Sequence, residues 1–565
     1  MDANNFWYGL TTKKPTPSKS PKILIIGAGS RGNAYARAVT QSTRAIVSAV
    51  AEPINHKRKE LGRKYIWKGA DPQPEQEFAD WRDFIKYELA RRERAGAGQP
   101  VEDGVDAIFI CTLDEQHAII ATELSCLNLH IMCEKPLATT LDDCLNIYSS
   151  LLSSTDLNTP PNTIDSQPRA IFGIGHVLRY SPHNMLLRQL VLEDSVIGDI
   201  ISIEHTEPVG WWHFSHSYVR GNWRKESTAA PSLLTKSCHD IDLLLWLLCS
   251  PPSPQSTAPP HLPSKISSSG HLNYFRKHRK PPAAGAATNC LSCPLSSSCN
   301  YSAPKIYLDR FLSHGQTGWP VKIVVPEIET CYATHGASAA SKLLLTALAE
   351  DYDATTTPTA EIDARPWFGR CVWESANDVC DDQVVTMTWD DEDDPLPPST
   401  DEDPLPPQNN DKVTDQARPM NRHAKTAIFH MIAHTQAQCE RRGRVYGTTG
   451  ELTYDSRTVR VIDFASGTER VHYPEQMGGG HGGGDDGLVR GFVAAVEAVK
   501  KGEMGVEEAQ RRFLGCSLEE VVRSHAVVFA AEEARREGTV VDWRGWWREN
   551  VEVPLGEKMR ERGSV

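Results

Sequence analysis

The chain has 565 residues, 40% hydrophobic and 24% charged, so its length and composition predict a globular protein with more than one domain. Acidic residues outnumber Lys and Arg by 73 to 60, the net charge is −13, and no basic stripe with interleaved aromatics occurs, which argues against nucleic acid as a partner. Because no apolar run approaches the roughly 18 residues of a membrane span and no secretory signal is visible, we expect a cytoplasmic protein without a membrane partner.

Short apolar strands alternate with helical patterns between residues 21 and 150. Four runs, KILIIGAG, AIVSAVAEP, DAIFICTL and LHIMCEKP, are each followed by polar or amphipathic sequence. This alternation is typical of βαβ units around a parallel sheet. We therefore predict an α/β Rossmann domain over residues 21–150, after a flexible tail at 1–20.

A stretch rich in Thr, Pro, Asn and Ser predicts a linker at 151–168, and strand patterns such as DQVVTMTW and KTAIFHMIAHT then outnumber helical ones. We expect an α+β domain over 169–545 with a large, open, mostly antiparallel sheet, followed by a C-terminal tail at 546–565. Insertions near 250–300 and 390–420 include stretches rich in Pro with Ser or acidic residues, a composition that predicts loops without a core of their own.

Gly27, Gly29 and Gly32 form a G-x-G-x-x-G motif between the first strand and the helix after it. In that context the first glycine permits a tight turn, the second lets the backbone approach a pyrophosphate, and the third lets helix and strand pack closely. Glu52 ends the next strand about 20 residues further on, where an acidic side chain can accept hydrogen bonds from ribose hydroxyls. The combination predicts a dinucleotide site.

NAD is favoured over NADP at this site, because Glu52 would repel a 2′-phosphate. Arg31 and the basic run HKRK at residues 56–59 could offset that repulsion, so NADP remains the alternative. Ser30 and Arg31 complete the contacts that we predict for the glycine turn.

Two further motifs follow in the same domain. A C-T-x-x-x-x-H segment and, one helix later, a strand ending in E-K-P supply six residues: Cys111, Thr112, His117, Glu134, Lys135 and Pro136. In these motifs and their order, the chain resembles the glucose-fructose oxidoreductase/inositol dehydrogenase/MocA-like family from about residue 21 to 537. The resemblance implies an NAD(P)-dependent dehydrogenase or reductase acting on CH-OH groups of a sugar, cyclitol or related polyol. It also implies cofactor contacts from Thr112, Leu113, His117, Glu134 and Lys135.

Lys135 lies at the carboxyl end of a parallel strand, the edge at which open α/β sheets bind ligands. An ammonium group there can stabilise the alkoxide that develops as hydride leaves carbon, or relay the proton. The resemblance implies this catalytic role for Lys135.

The segment LLTKSCHDIDLLLWLL is similar to the family's D-x-G-x-H-x-x-D segment, and this implies that His239 is the catalytic acid/base. Where the family commonly has an aspartate four positions before the histidine, this chain has Thr235. Lys236, Asp240 and Asp242 are the candidates to substitute for that aspartate.

A polar-aromatic segment, EPVGWWHFSHSYVRGNWR, precedes this helix, and the resemblance implies that its N-W-R portion lies near the substrate. Trp223 can stack on a sugar-like ring, while His213, Arg224 and Arg179 can donate hydrogen bonds to hydroxyls or a carboxylate. With Asp242, these residues are the predicted substrate contacts.

Cys290 and Cys293 form a C-x-x-C pair, and Cys299 follows. A closed zinc or iron–sulfur site normally has four protein ligands, and only three are local. The fourth could come from one of three residues: Cys238, His278 or Cys331. Free thiols in a flexible insertion are favoured over bound metal, so no metal is predicted.

Two other functions remain open. One is an NAD-dependent glycosidase that oxidises its substrate transiently, and the other is a non-catalytic NAD(P)-binding regulatory protein, which the Thr235 departure and the insertions favour. Net accumulation of NADH would separate these from a dehydrogenase. An open sheet also needs its outer face covered, and the resemblance implies that a second copy covers it in a homo-oligomer.

Overall fold

A computed structural model of the chain describes residues 20–152, 168–251, 258–392, 422–476 and 480–563. The predicted N-terminal tail and most of the predicted linker lie outside the described residues, as does most of the insertion near 390–420. Within the described ranges, no helix combines the length and the apolar character that crossing a membrane requires.

The first domain is built on a six-stranded sheet in the order β3-β2-β1-β4-β5-β6, and every pairing in it is parallel. Its strands are β1 (Lys22–Ile26), β2 (Ile46–Ala51), β3 (Glu77–Phe78), β4 (Ala107–Ile110), β5 (His130–Cys133) and β6 (Phe172–Ile174). Its helices are α1 (Ser30–Ser42), α2 (Asn55–Tyr65), α3 (Trp81–Gly96), α4 (His117–Leu124) and α5 (Leu141–Leu152). The central strands are buried on both faces, as the unbroken apolar runs predict, and the Rossmann prediction is confirmed.

Strand β6 lies beyond the predicted domain boundary. The predicted second domain begins at residue 169, whereas the structure pairs β6 with β5, with Met132 opposite Gly173 in the register. The strand was recognisable from its apolar run, but its partner was not, because a single sequence does not record which strands pair across a linker. The first domain therefore extends to about residue 175.

The second domain carries a nine-stranded sheet in the order β14-β13-β12-β11-β7-β10-β9-β8-β15. Its strands are β7 (Ile200–Pro208), β8 (Lys265–His271), β9 (Asp382–Trp389), β10 (Lys425–Ile432), β11 (Arg442–Gly447), β12 (Gly450–Tyr454), β13 (Val459–Asp463), β14 (Glu469–His472) and β15 (Val540–Asp542). Only the β7–β10 pairing is parallel, so the prediction of a large, mostly antiparallel sheet is confirmed.

Helices cover one face of this sheet and link it to the first domain. The helices that follow β6 are α6 (Pro182–Arg188), α7 (Trp211–Phe214), α8 (Ser232–Leu248), α9 (Val321–Val324), α10 (Ile328–Leu348), α11 (Thr359–Asp363), α12 (Gly484–Lys500), α13 (Val506–Ala509), α14 (Leu518–Glu537), α15 (Trp543–Trp547) and α16 (Val553–Gly563). Helices α8 and α14 pack on each other and on the sheet, and α12 packs on α1. Nearly every residue of α8 is buried, which explains its leucine-rich sequence.

Two segments differ from their predicted states. The insertion near 250–300 contains β8, a regular member of the sheet, and the extra chain lies instead between β8 and β9, where α9–α11 form. The predicted C-terminal tail forms α15 and α16, and Lys558 Nζ donates to Asn146 Oδ1 of α5 at 2.9 Å. Trp543 and Trp546 anchor this end because both are buried, with stacked rings.

Candidate functional site

The glycine turn after β1 has the shape that a dinucleotide requires. A Cβ at Gly27, whose φ is +94°, would lie 2.5 Å from Cys111 O, and a Cβ at Gly32 would lie 2.0 Å from Gly27 O. A Cβ at Gly29 would meet no described atom within 4 Å. The first and third glycines are therefore required by packing, whereas the second borders open space at the start of α1. No side chain caps that helix end, and Ser30 is exposed in its first turn, so backbone N–H groups are left for phosphate oxygens.

Glu52 follows β2 directly and supports the turn from beside it. Its Oε2 accepts a hydrogen bond from Ala28 N at 2.8 Å and its Oε1 one from Ile54 N at 2.9 Å. Each carboxylate oxygen keeps a further lone pair, so Glu52 can still accept from ribose hydroxyls.

Three of the cations near Glu52 are already paired with carboxylates. Arg31 donates to Glu134 Oε1 at 2.6 Å and to Asp485 Oδ1 at 2.8 Å, while Arg58 and Lys59 each lie 2.8 Å from a carboxylate oxygen of Glu77. These are basic residues that the sequence analysis considered for a 2′-phosphate. Because carboxylates already balance these charges, less positive charge is available to bind the 2′-phosphate of NADP.

Two buried polar atoms without partners among the described residues follow β4, one just after the strand and one at the start of α4. Within the described part of the chain, Thr112 Oγ1 and His117 Nε2 find no hydrogen-bond partner, although His117 Nδ1 lies 2.7 Å from Pro136 O. Leu113 between them is 45% exposed. Because buried polar atoms are normally satisfied, these two atoms fit a bound polar ligand such as a dinucleotide.

Lys135 reaches from the end of β5 to the second domain. Its Nζ donates to Thr235 O at 2.5 Å and lies 5.9 Å from the centre of the Trp223 ring. Thr235 and His239 are four residues apart on α8 and therefore share a helix face. The amine of Lys135 thus lies one helical turn from the predicted acid/base.

His239 is buried among charged groups of the second domain. Its Nε2 lies 2.6 Å from Arg441 Nη2 and 3.3 Å from Asp240 Oδ2, so either neutral tautomer finds a partner there. Its Nδ1 is buried and has no partner among the residues described. Burial, with the charge of Arg441, holds the pKa of His239 well below its usual range against the opposing effect of Asp240. The imidazole is therefore neutral near pH 7.

Asp240 and Lys236, two of the three candidates to substitute for the missing aspartate, belong to the charged group around His239. Asp240 accepts a hydrogen bond from Arg441 Nε at 2.5 Å, and Arg441 holds the pKa of Asp240 well below its usual range although burial opposes this. Lys236 Nζ lies 3.0 Å from Glu207 Oε1 and 3.0 Å from Cys439 Sγ. These charges neutralise one another inside the domain.

The predicted substrate contacts divide into two groups. Asp242 is bound by Arg179 through contacts of 2.7 and 2.8 Å, and Arg224 donates to Ile362 O at 2.6 Å. These three side chains hold the scaffold, which is a structural use that the sequence analysis did not anticipate. His213 and Trp223 remain candidates for contact with a substrate.

His213 and Trp223 lie near the two lysines of the site. The charges of Lys236 and Lys135, after burial as the largest cause, hold the pKa of His213 well below its usual range. Trp223 Nε1 donates to Asp114 Oδ2 at 2.8 Å, and its ring stacks on Tyr218 at 5.5 Å. Aromatic rings of the second domain therefore lie next to Lys135, where the two domains touch.

Sequence reasoning missed Arg441 and Glu207. The guanidinium of Arg441 touches His239 and Asp240 and lies 3.0 Å from Glu207 Oε2, which is fully buried. The sequence contained one signal for Glu207, because it is an acidic residue near the end of a strand, β7, in which apolar and polar residues otherwise alternate. Asp485, in the first turn of α12, pairs with Arg31 and lies 3.3 Å from His481 Nδ1.

Comparison with known proteins defines the class. The model of an oxidoreductase family with an NAD-binding Rossmann fold matches residues 21–155. The chain is 24% identical to 2,7-anhydro-N-acetylneuraminate hydratase of Escherichia coli (strain K12) over 144 residues, 26% of this chain and 34% of the relative. It is 25% identical to inositol 2-dehydrogenase 2 of Paenarthrobacter aurescens (strain TC1) over 148 residues, 26% of this chain and 38% of the relative. These matches span less than two fifths of the length of either relative.

Solved structures share the fold over nearly the whole chain. Levoglucosan dehydrogenase in complex with NADH is 13% identical, with a TM-score of 0.53 over 93% of this chain and 99% of that one. An oxidoreductase from Agrobacterium radiobacter in complex with NAD+, L-tartaric acid and magnesium is 11% identical, with a TM-score of 0.51 over 93% and 98%.

Fold and site together define an NAD-binding Rossmann domain followed by a second, sheet-rich domain. The matched residues 21–155 resemble the Gfo/Idh/MocA oxidoreductase family, in agreement with the motifs of the sequence.

Proposed function

We propose that this protein is an NAD-dependent dehydrogenase or reductase that acts on a hydroxyl- or keto-bearing carbon of a sugar, cyclitol or related polyol. The observation that carries the proposal is the contact of Lys135 Nζ with Thr235 O, one helical turn from His239, at the ligand-binding edge of the parallel sheet. When bound, the nicotinamide would accept or supply the hydride. Relatives named for inositol and levoglucosan dehydrogenation support this substrate class.

His239 and Lys135 divide the proton chemistry between them. For catalysis His239 takes the tautomer that donates Nε2–H to Asp240, and Arg441 then gives up its 2.6 Å contact with Nε2 and keeps its contacts with Asp240 and Glu207. The Nδ1 atom is free in this tautomer to take the hydroxyl proton during oxidation and to return it during reduction. The ammonium group of Lys135 stabilises negative charge on the same oxygen. Burial, together with the charge of Arg441, lowers the pKa of His239 and keeps the imidazole neutral, so that it can take up a proton.

We propose NAD in preference to NADP for this reaction. Glu52 presents a carboxylate where a 2′-phosphate would lie, and Arg31, Arg58 and Lys59 are paired with carboxylates. Trp223, beside Lys135, offers an apolar face to the C–H groups of a sugar-like ring.

Turnover of a panel of polyols and keto-sugars with NAD+ or NADH, followed by NADH absorbance, tests this proposal. We expect Lys135→Met to lower kcat/KM by about 10²–10⁴-fold, because charge on the reacting oxygen loses its stabilising group. Lys86→Met is the matched control, since the Lys86 side chain is 77% exposed on α3. It should retain the wild-type rate.

Unchanged turnover by Lys135→Met would contradict the proposal. Release of an aglycone without net NADH would instead favour a glycosidase. NADH binding without turnover of any panel member would favour a regulatory protein.

We also propose that a second copy of the chain covers the outer face of the nine-stranded sheet. Helices α8 and α14 cover only one face, while Val384, Thr386 and Ile428 point to the other, where Ile428 is 38% exposed. Light scattering should give a mass of at least twice 62.7 kDa. Ile428→Lys should shift it toward the monomer, whereas Ile119→Lys, at an exposed site of the first domain, should not. A monomeric wild type would contradict this proposal.

A further inference from the structure

Four cysteines from separate parts of the sequence line one cavity of about 260 Å³ in the second domain. Three of them, Cys290, Cys293 and Cys299, belong to the segment between β8 and β9 that the sequence analysis singled out. The fourth is Cys371, which lies far along the chain from the other three and was not among the candidates considered there. The proposed hydride chemistry uses none of the four.

The backbone holds Cys290 and Cys371 side by side. Asn289 and Arg370 form an antiparallel bridge, with Cys290 N donating to Gly369 O and Cys371 N to Thr288 O, both at 2.8 Å. The paired residues therefore bring the two thiols to the same place by main-chain hydrogen bonds.

Tight turns bring the other two thiols to the same cavity. Cys293 N lies 3.4 Å from Cys290 O, and Cys299 N donates to Leu295 O at 2.8 Å. The C-x-x-C pair thus closes a turn of the kind that presents two sulfurs to one metal.

A buried cation without its full set of partners faces this cluster. Arg220 is 1% exposed, lines the cavity, and has Nη2 3.4 Å from Cys290 Sγ. Its Nε and Nη2 donate to Arg370 O and Tyr301 O, both at 2.6 Å, but Nη1 has no partner in the described part of the chain. An uncompensated buried guanidinium is costly, and thiolates bound to a metal would supply the missing negative charge.

A second group of metal-ligand types does not compete with this one. His176, Cys238 and His525 have side-chain ligand atoms within 4.8 Å of one another. However, His525 Nδ1 lies 2.7 Å from Val521 O, and its Nε2 accepts from Leu137 N at 2.8 Å. With both nitrogens used, His525 has no lone pair to give to a metal.

We propose that Cys290, Cys293, Cys299 and Cys371 bind a thiophilic metal centre, either an iron–sulfur cluster or a zinc ion held by four thiolates. Among the described residues, no three of these sulfurs lie all within 4.8 Å of one another, whereas a single tetrahedral zinc with Zn–S near 2.3 Å needs sulfurs roughly 3.8 Å apart. A zinc ion would therefore draw the thiols inward, whereas an iron–sulfur cluster is larger and binds sulfurs that are further apart.

The centre would brace the substrate side of the cleft. Arg220 ends the helical segment that begins at Ser215, directly after α7, and Trp211 of α7 packs edge-on against Tyr301 at 5.7 Å. A metal bound beside Arg220 and Tyr301 therefore fixes the aromatic segment that carries His213. Its role in this position is structural.

Metal analysis of the full-length chain, purified without oxygen, tests the proposal. We expect either about four iron and four sulfide per chain with visible absorbance, or about one zinc without it. Cys371→Ser should lose most of this metal, whereas Cys126→Ser, at an exposed thiol of the first domain, should keep it. Wild-type protein with less than about a tenth of one metal equivalent would overturn the proposal.

Thiol alkylation of the wild type covers the case in which Cys371→Ser fails to fold. Before chelation, Cys126 should react and the four proposed ligands should not. After chelation under native conditions, the four should become reactive together, in step with metal release. Equal reactivity before and after chelation would overturn the proposal.

Discussion

Burial and one guanidinium together lower the pKa of the proposed acid/base, His239. Arg441 touches His239 and Asp240 and pairs with Glu207, and both carboxylates are fully buried. The cation lets these acids stay ionised inside the protein, and at the same time it disfavours a second positive charge on the imidazole. Thr235 stands where the family commonly has an aspartate. In this chain Asp240 supplies the carboxylate next to His239 instead.

Arg441→Met should therefore move the pH profile of the enzyme. Loss of the cation leaves two buried carboxylates facing His239, so the pKa of His239 rises and a higher pH is needed to keep it unprotonated. The acidic limb of kcat/KM for substrate oxidation should shift to higher pH. Arg444→Met, at an exposed position on β11, is the control. An unshifted limb in folded Arg441→Met would contradict the assignment.

Residues in local motifs were predictable, and residues brought in by tertiary structure were not. The glycine turn, Glu52 and Lys135 follow from short patterns whose spacing reflects a strand, a turn and a helix. Arg441 and Cys371 act on residues about 200 and 80 positions away, and no periodicity in the sequence records such a contact. Arg179 and Asp242 look like ligands in sequence because they are charged, yet burial makes them partners of each other.

At the level of elements, apolar runs predicted strands well where both faces are buried or where residues alternate. β1, β2, β4, β5, β9 and β10 all lie in the predicted runs. β3 has only two residues, too few for a periodic pattern. The C-terminal helices were missed because their anchor is two tryptophans in an otherwise charged segment, and the burial of those rings depends on the surface they meet.

In the whole molecule, the two domains meet across the proposed active site. The first domain contributes the glycine turn and Lys135, and the second contributes His239 and its charged neighbours. The ion pair between Arg31 and Asp485 joins the glycine turn to the start of α12. Asp485 also lies beside His481. The cofactor-binding edge and the acid/base therefore face each other across one cleft.

Fluorescence titration with NADH and NADPH is the most direct test of the proposed dinucleotide site. We predict saturable NADH binding, NADPH binding at least about tenfold weaker, and an NADH affinity reduced at least about tenfold in Gly29→Ala, which corresponds to about 1.4 kcal/mol. The added methyl group meets no described atom within 4 Å, so stability should stay within about 0.5 kcal/mol of wild type and the loss would report on the ligand alone. No saturable NADH binding, or equal NADH affinity in Gly29→Ala and wild type, would contradict it.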